Sequence, residues 1–415
     1  MNILFLTITR ILDVEQRELY QDLMREFRNQ GHNLYIVTPR ERRYHEATTY
    51  TTVSGVHMLG VETLNLQKTN VIEKGLGTVL MEHQFKRAIR HYLKDEKIDL
   101  ILYSTPPITF PNVIRYVKKL NPQAKTYLLL KDIFPQNAVD LGLMSKEGIK
   151  GILYKFFRKK EKKLYALSDY IGCMSPANVE YVLKHNSEIS ADRVEVAPNA
   201  TVLVEKHGNE TAGSSQDTQG ENNNHIREKY GLPADKPLLI YGGNLGKPQG
   251  IPFLIDCLTA NKERTDCHFV IVGDGVYYDK LESWYNEHQP KNVSIYNRLP
   301  KIDFDQLTKA CDVGLIFLDY RFTIPNYPSR SLSYMENKLP MLVVTDPNSD
   351  MGPIAEKNGF GYWCESNSIE KFTAILDRIL ASDIKKMGQN AFDFLCKNYL
   401  VSNTYNIIMK HFGYE

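Results

Sequence analysis

The chain reads as an α/β protein built from two doubly wound parallel-sheet domains, and three features of its 415 residues lead there. Short apolar runs alternate with amphipathic helical stretches, the alternation occurs once in each half, and a segment poor in apolar residues separates the two series. A chain this long exceeds one hydrophobic core and fits two domains of roughly 200 residues each.

In the first half, residues 3–6, 34–37, 100–103, 126–130 and 170–174 are apolar runs short enough for buried strands. Residues 15–29, 78–94 and 149–166 lie between them with helical spacing. The second half repeats the pattern with runs at 238–241, 269–272, 293–296, 313–317 and 341–344. Strands that are apolar on both faces, each followed by a helix, indicate a parallel sheet covered on both sides. The break is the stretch 206–224, KHGNETAGSSQDTQGENNN, which carries almost nothing to bury and is expected to be mobile. It places a first domain at 1–200, a flexible linker at 205–225 and a second domain at 226–400.

Composition narrows the class. Charged residues make up 24% and hydrophobic residues 42%, and the net charge is +2, so nothing global indicates a nucleic-acid partner. No window approaches the ~18 apolar residues of a spanning helix. Met1-Asn2 runs straight into the first apolar strand, without the basic start of a signal peptide. Cys173, Cys257, Cys267, Cys311, Cys364 and Cys396 show no metal-like spacing and read as buried reduced thiols. The expected location is the cytoplasm, in solution or attached to the inner face of a membrane.

Three strand-end motifs carry candidate chemistry. The first is Leu238-Leu239-Ile240-Tyr241-Gly242-Gly243-Asn244-Leu245-Gly246-Lys247-Pro248-Gln249-Gly250, a buried strand running into a glycine-rich turn before a helix. Glycines let the backbone approach an anion, a helix start offers free N–H groups, and Lys247 adds a charge suited to a diphosphate. It is neither a Walker loop nor GxGxxG. The second is Val272-Gly273-Asp274-Gly275, a sharp turn one βαβ unit later on the same sheet edge. The third is Asn326-Tyr327-Pro328-Ser329-Arg330-Ser331-Leu332-Ser333-Tyr334, where Ser329 is placed to cap a helix whose first turn holds Arg330 and Ser331. Steric turns and a surface salt bridge would explain each motif separately. Together they gather two cations and two helix starts at the edge where open α/β sheets bind ligands.

In this order the three motifs resemble family 4 retaining glycosyltransferases of the GT-B fold, and within them the bacterial capsule and O-antigen branch that includes fucosaminyltransferase-like enzymes. Leu130-Lys131-Asp132-Ile133-Phe134-Pro135-Gln136, Pro198-Asn199-Ala200 and the final helix extend the resemblance to nearly the whole chain. It implies two Rossmann-like domains facing across a cleft, with 402–415 returning to the first domain. It also implies transfer, with retention and without a metal or other cofactor, of a hexosyl or N-acetylhexosaminyl group from a UDP-sugar to a polyprenyl-linked saccharide. On this reading Gly242, Gly243, Asn244, Gly273, Asp274, Gly275, Ser329, Ser331 and Leu332 bind the donor, while Lys247, Arg330 and Asp132 are catalytic. Lys247, Arg330, Gly243 and the N–H groups near Ser331 would meet charge growing on the leaving phosphate, where one such donor contributes roughly 10²–10³ in rate.

The departures are specific. The paired glutamates of many family members would fall near Pro325 and Ser333, and Glu336 stands a helical turn further on. The arginine of the first loop is Asn244, the lysine place falls near Gln249, and Thr7-Ile8-Thr9-Arg10 lacks the usual glycines. A GT-B epimerase or hydrolase, or a non-catalytic binding subunit, are the rival classes.

Three further features have two readings each. Asp132 either orients a reacting hydroxyl or supports the Phe134-Pro135 turn. Asp303-Phe304-Asp305 resembles a metal-binding DxD but precedes a helical pattern, where capping is expected. Residues 149–164, IKGILYKFFRKKEKKL, place Lys150, Lys155, Arg158, Lys159, Lys160, Lys162 and Lys163 among Ile152, Leu153, Phe156 and Phe157. Such a helix either lies on an anionic membrane or packs its apolar face on the sheet.

Overall fold

The computed structural model describes residues 1–66, 71–203 and 217–413. The chain divides into two compact units, Met1–Val202 with Leu400–Glu415, and Leu203–Tyr399.

The first unit holds strands β1 (Asn2–Leu6), β2 (Asn33–Glu41), β3 (Thr49–Val53), β4 (Val56–Thr63), β5 (Leu100–Ser104), β6 (Lys125–Leu130), β7 (Tyr170–Cys173) and β8 (Val194–Val196). Their order in the sheet is β3-β4-β2-β1-β5-β6-β7-β8. Every pair is parallel except the edge hairpin β3–β4. Ile3, Phe5, Leu100, Leu102, Tyr127 and Leu129 are fully buried, which is why these runs read as continuous apolar stretches. The hairpin is harder to read, because β3 is a threonine-rich strand with no fully buried side chain. The helix Val401–Met409 belongs to this unit: Tyr405 packs on Phe27 at 5.1 Å between centroids and bonds His32 at 2.8 Å. Glu195 then takes both Lys410 and His411, and the His411 ring stacks on Tyr170 at 3.7 Å.

The second unit holds β9 (Leu238–Gly242), β10 (His268–Val272), β11 (Val293–Tyr296), β12 (Val313–Phe317), β13 (Met341–Thr345) and β14 (Gly361–Glu365). All are parallel, in the order β11-β10-β9-β12-β13-β14. In both sheets the order reverses beside the first strand, at β1/β5 and at β9/β12, so each unit is doubly wound with its own switch point.

One expectation changes at the join. Residues 206–216 of the polar stretch lie outside the described residues, but Asp217–Lys229 is a helix. Its last turn is tied down by Arg227, which bonds the Ala310 carbonyl at 3.0 Å and Asp312 at 2.9 Å. Composition alone cannot show such an anchor. No helix among the described residues is long and apolar enough to cross a membrane.

Candidate functional site

The second unit's switch point supplies the most defined geometry. β9 and β12 pair only through Val313 with Leu239 and Gly314 with Ile240, and then part. The helix Arg330–Glu336 fills the opening with Tyr334. The Tyr334 hydroxyl accepts from the Gly242 N–H at 3.1 Å and donates to the Ile240 carbonyl at 3.1 Å. Gly314 makes room for it, since a Cβ there would meet the Tyr334 ring at 2.3 Å. Tyr334 therefore locks the third motif against the first. Sequence reasoning misses it as a site residue, although a glycine in mid-strand is the signal of such a close approach.

Arg330 opens that helix. Its Cζ sits 4.5 Å from the centroid of the Tyr241 ring, whose hydroxyl in turn donates to the Asn244 carbonyl at 2.8 Å. The Arg330 Nη1 is buried and has no hydrogen-bond partner among the described residues. An unmet buried donor costs about 1–3 kcal/mol, more when charged, so the atom marks a place for an acceptor from outside the chain. Beside it lies exposed Gly243, at φ +128°, where a Cβ would come 3.5 Å from Arg330 Cζ and Nη2.

The other glycines serve packing. A Cβ at Gly242 would strike Phe304 at 2.3 Å, at Gly273 the Gly243 carbonyl at 1.8 Å, and at Gly275 the Leu245 carbonyl at 2.6 Å. The first two turns run side by side, with Gly243 N–H donating to Val272 at 2.9 Å and Leu245 N–H to Asp274 at 2.8 Å. Of the expected glycine cradle, only Gly243 could carry a Cβ without a clash, in ordinary contact with a cation. Asn244 and Gln249, which stand where the resemblance places an arginine and a lysine, bond each other through their amides at 3.2 Å. Lys247 is exposed in a 3₁₀ turn, with no ion pair among the described residues.

Two expectations about helix starts need correcting. Ser329 stands at the N-cap position, but its helical φ and ψ turn the side chain away and it makes no cap. The Ser331 and Leu332 N–H groups bond the Pro328 and Ser329 carbonyls at 3.3 and 3.1 Å, and both side chains are buried. A tight first turn thus uses the donors that a ligand was expected to find. The helix Ile251–Asn261 is also closed over at its start, where Gly250 faces the Leu318 carbonyl. The cap expected at Asp303-Phe304-Asp305 is absent too: the helix starts at Lys301, Asp303 pairs with Lys229 at 3.2 Å, and Asp305 with Lys301 at 3.2 Å.

In the first unit, Asp132 follows β6 and is held on both carboxylate oxygens by the Asn137 side-chain amide at 2.8 Å. Burial pushes its carboxyl up to about 6. Its neighbour Lys131 donates to the Ala197 carbonyl at 2.9 Å, and burial pulls the ammonium down to about 7. Both groups are biased toward their neutral forms. Sequence reasoning misses Lys131, whose only signal is a lysine placed directly after a buried strand.

The basic stretch is the helix Gly148–Leu167, and its apolar side chains divide. Ile152, Leu153 and Phe156 face outward, whereas Phe157 packs on Phe134 at 5.1 Å between centroids. The core reading therefore fails for the first three. Lys150's side chain lies outside the described residues.

Comparison with known proteins agrees with this architecture. Residues 222–393 match the family model described as "Glycosyl transferases group 1". The "Probable glycosyltransferase WbjE" of Pseudomonas aeruginosa is 23% identical over 336 residues, covering 80% of this chain and 78% of that protein. Sucrose-phosphate synthase from Thermosynechococcus elongatus superposes with a TM-score of 0.73 at 13% identity, covering 99% of this chain and 98% of that one. Anabaena HepE, solved with UDP and glucose, gives 0.67 at 14% identity, covering 99% of each chain. The chain has the GT-B fold, and its residues 222–393 match the group 1 glycosyltransferase model.

Proposed function

We propose that this protein transfers a hexosyl or N-acetylhexosaminyl group, with retention of configuration, from a UDP-sugar to a polyprenyl-linked saccharide in capsule, exopolysaccharide or O-antigen synthesis. The observation that carries the reading is the buried, unmet Nη1 of Arg330, beside the one open glycine of the loop and inside a group 1 glycosyltransferase domain. A diphosphate oxygen is the acceptor that such an atom lacks. Arg330 would hold the leaving diphosphate as charge grows on it, with exposed Lys247 adding long-range attraction. The acceptor hydroxyl would enter on the face the diphosphate leaves, oriented by Asp132. HepE, of the same fold, was solved with UDP and glucose, and this supports a nucleotide-sugar donor. The reading needs neither metal nor cofactor. It places the protein in the cytoplasm, in contact with the inner face of the plasma membrane through residues 149–164.

The test is a thermal-shift screen of UDP and UDP-sugars on the wild-type protein and Arg330→Ala, followed by transfer to lipid-extracted acceptors in EDTA. Stabilisation of the wild type alone, with labelled sugar entering the lipid fraction, is the expected result. Release of UDP or epimerised sugar without any acceptor would replace transfer by hydrolysis or epimerisation. Turnover that required added Mg²⁺ or Mn²⁺ would overturn the metal-free mechanism.

A further inference from the structure

Soluble proteins seldom leave neighbouring large apolar side chains in water without a use for them. On the helix Gly148–Leu167, Ile152 is 69% exposed, Leu153 50% and Phe156 43%. They lie in its second and third turns, and the same outward face carries exposed Lys155, Lys159 and Lys163, none of which has an ion pair among the described residues. A groove of about 480 Å³ runs along this helix, lined by Lys155, Arg158, Lys159, Lys162 and Lys163, with Glu188 its one acid.

The patch continues onto a second helix. Lys160 reaches Glu82 of Val71–Tyr92 at 3.1 Å. Both helices lead into parallel strands of one sheet, so they run in the same direction. One turn before Glu82 stands Val79, 51% exposed, with Leu80 at 45%; one turn before Lys160 stands Phe156. The ion pair brings these parts of the two helices within side-chain reach of each other. Apolar side chains come first on both helices, and unpaired lysines follow on one.

We propose that Val79, Leu80, Ile152, Leu153 and Phe156 form a two-helix surface that inserts into an anionic lipid bilayer, with Lys155, Lys159 and Lys163 seated at the headgroup phosphates. The occupant follows from complementarity. A bilayer edge offers hydrocarbon beneath a layer of negative charge, and the face offers apolar side chains beside a basic groove. The proposal sharpens the membrane contact named above and rests on that reading. It involves no residue of the second unit.

Vesicle co-sedimentation decides it, using pure phosphatidylcholine against phosphatidylcholine mixed with phosphatidylglycerol. The wild-type protein should bind the mixed vesicles only, and Phe156→Trp should show a blue-shifted emission on binding. Replacing Lys155, Lys159 and Lys163 with Gln should weaken binding about a hundredfold at low salt, the product of about fivefold for each lysine near an anionic surface. Replacing Ile152, Leu153 and Phe156 with Ser should abolish the binding that survives high salt. All six side chains are exposed, so the variants should fold, and unchanged UDP-induced stabilisation confirms it.

Three outcomes overturn the proposal: no binding of wild type to mixed vesicles at low salt, wild-type binding by the serine variant, or a wild-type dimer that this variant breaks without vesicles mattering. The last would make the face an interface between copies of the chain. Vesicle binding without sugar transfer would leave the surface standing and remove the transferase reading.

Discussion

The two sheets end differently at their carboxyl edges. After β6, Lys131 and Asp132 are adjacent ionisable groups that burial has brought to about 7 and about 6, so both change charge near neutrality. After β9, the charge belongs to Arg330, a guanidinium that does not deprotonate in proteins, next to a glycine that leaves space. One edge can move protons, while the other can only hold charge. The transfer proposed above would call on both abilities, one to meet the leaving diphosphate and one to take the hydroxyl proton.

Removing the fixed charge should have the largest effect. Arg330→Ala is expected to weaken UDP binding by at least about a hundredfold, with Arg330→Lys in between, because the guanidinium acts where water is excluded. Lys247→Ala should cost about tenfold, since its ammonium is solvated and screened. Titration calorimetry at two salt concentrations checks both values. Equal losses would mean that the open side of the loop matters as much as Arg330.

The proton-handling edge should reveal itself through pH. Asp132 has a folded pKa of about 6, above its ordinary value of 3.8, so the folded state binds its proton more tightly. Stability tied to this group is complete below about pH 4 and is lost as pH rises through 6. Asp132→Asn should therefore raise stability above pH 6 by about 1–2 kcal/mol, a figure reduced for its partial exposure, and give no gain near pH 4. If Asp132 also orients the acceptor, the same variant loses turnover while gaining stability. A variant that gains stability and keeps full turnover would make Asp132 a support for its turn alone.

Within the charge-holding edge, the glycines separate room from packing. Gly273→Ala meets a backbone carbonyl at 1.8 Å and should destabilise the protein by about 1–3 kcal/mol, leaving the UDP affinity of the folded fraction intact. Gly243→Ala, strained by its φ of +128°, should also lose stability but, unlike Gly273→Ala, should reduce the affinity of the folded fraction, because its Cβ enters the space beside Arg330. Chemical denaturation combined with UDP titration distinguishes the two.

That distinction explains what the sequence could and could not reveal. The run 313–317 coincides with its strand because burial on both faces demands nearly unbroken apolar residues. β14, an edge strand with only two of its five residues buried, escapes notice for the same reason. Arg330 and the loop of Gly243 are legible because strand-end glycines and a cation beside a helix start form a local pattern. Tyr334 and Lys131 are not, because their roles depend on partners far along the chain: Gly242 for one and Ala197 for the other. Ser329 misleads because a capping residue was inferred from identity, whereas its backbone angles prevent the cap.

The smallest effect concerns Asn244 and Gln249, the amide pair in place of the charges that the family resemblance leads one to expect. Their bond at 3.2 Å ties the two ends of the loop together, as an anion bound between two cations would. The loop is thus closed by neutral groups, and Arg330 is left as its buried charge. Converting the pair to Asn244→Arg with Gln249→Lys should raise UDP affinity only a few-fold, since exposed charges contribute about 0.2–1 kcal/mol each and salt screens them. Empty, the double variant should be slightly less stable, because like charges replace a hydrogen bond; with UDP bound, it should match or exceed the wild type. Calorimetric titration of UDP at low and high salt, with melting curves of both states, checks each part. A gain as large as the loss from Arg330→Ala would show that the buried arginine was never the main holder of the diphosphate. No gain at low salt would place the diphosphate away from Asn244 and Gln249, nearer the Gly243 side of the guanidinium.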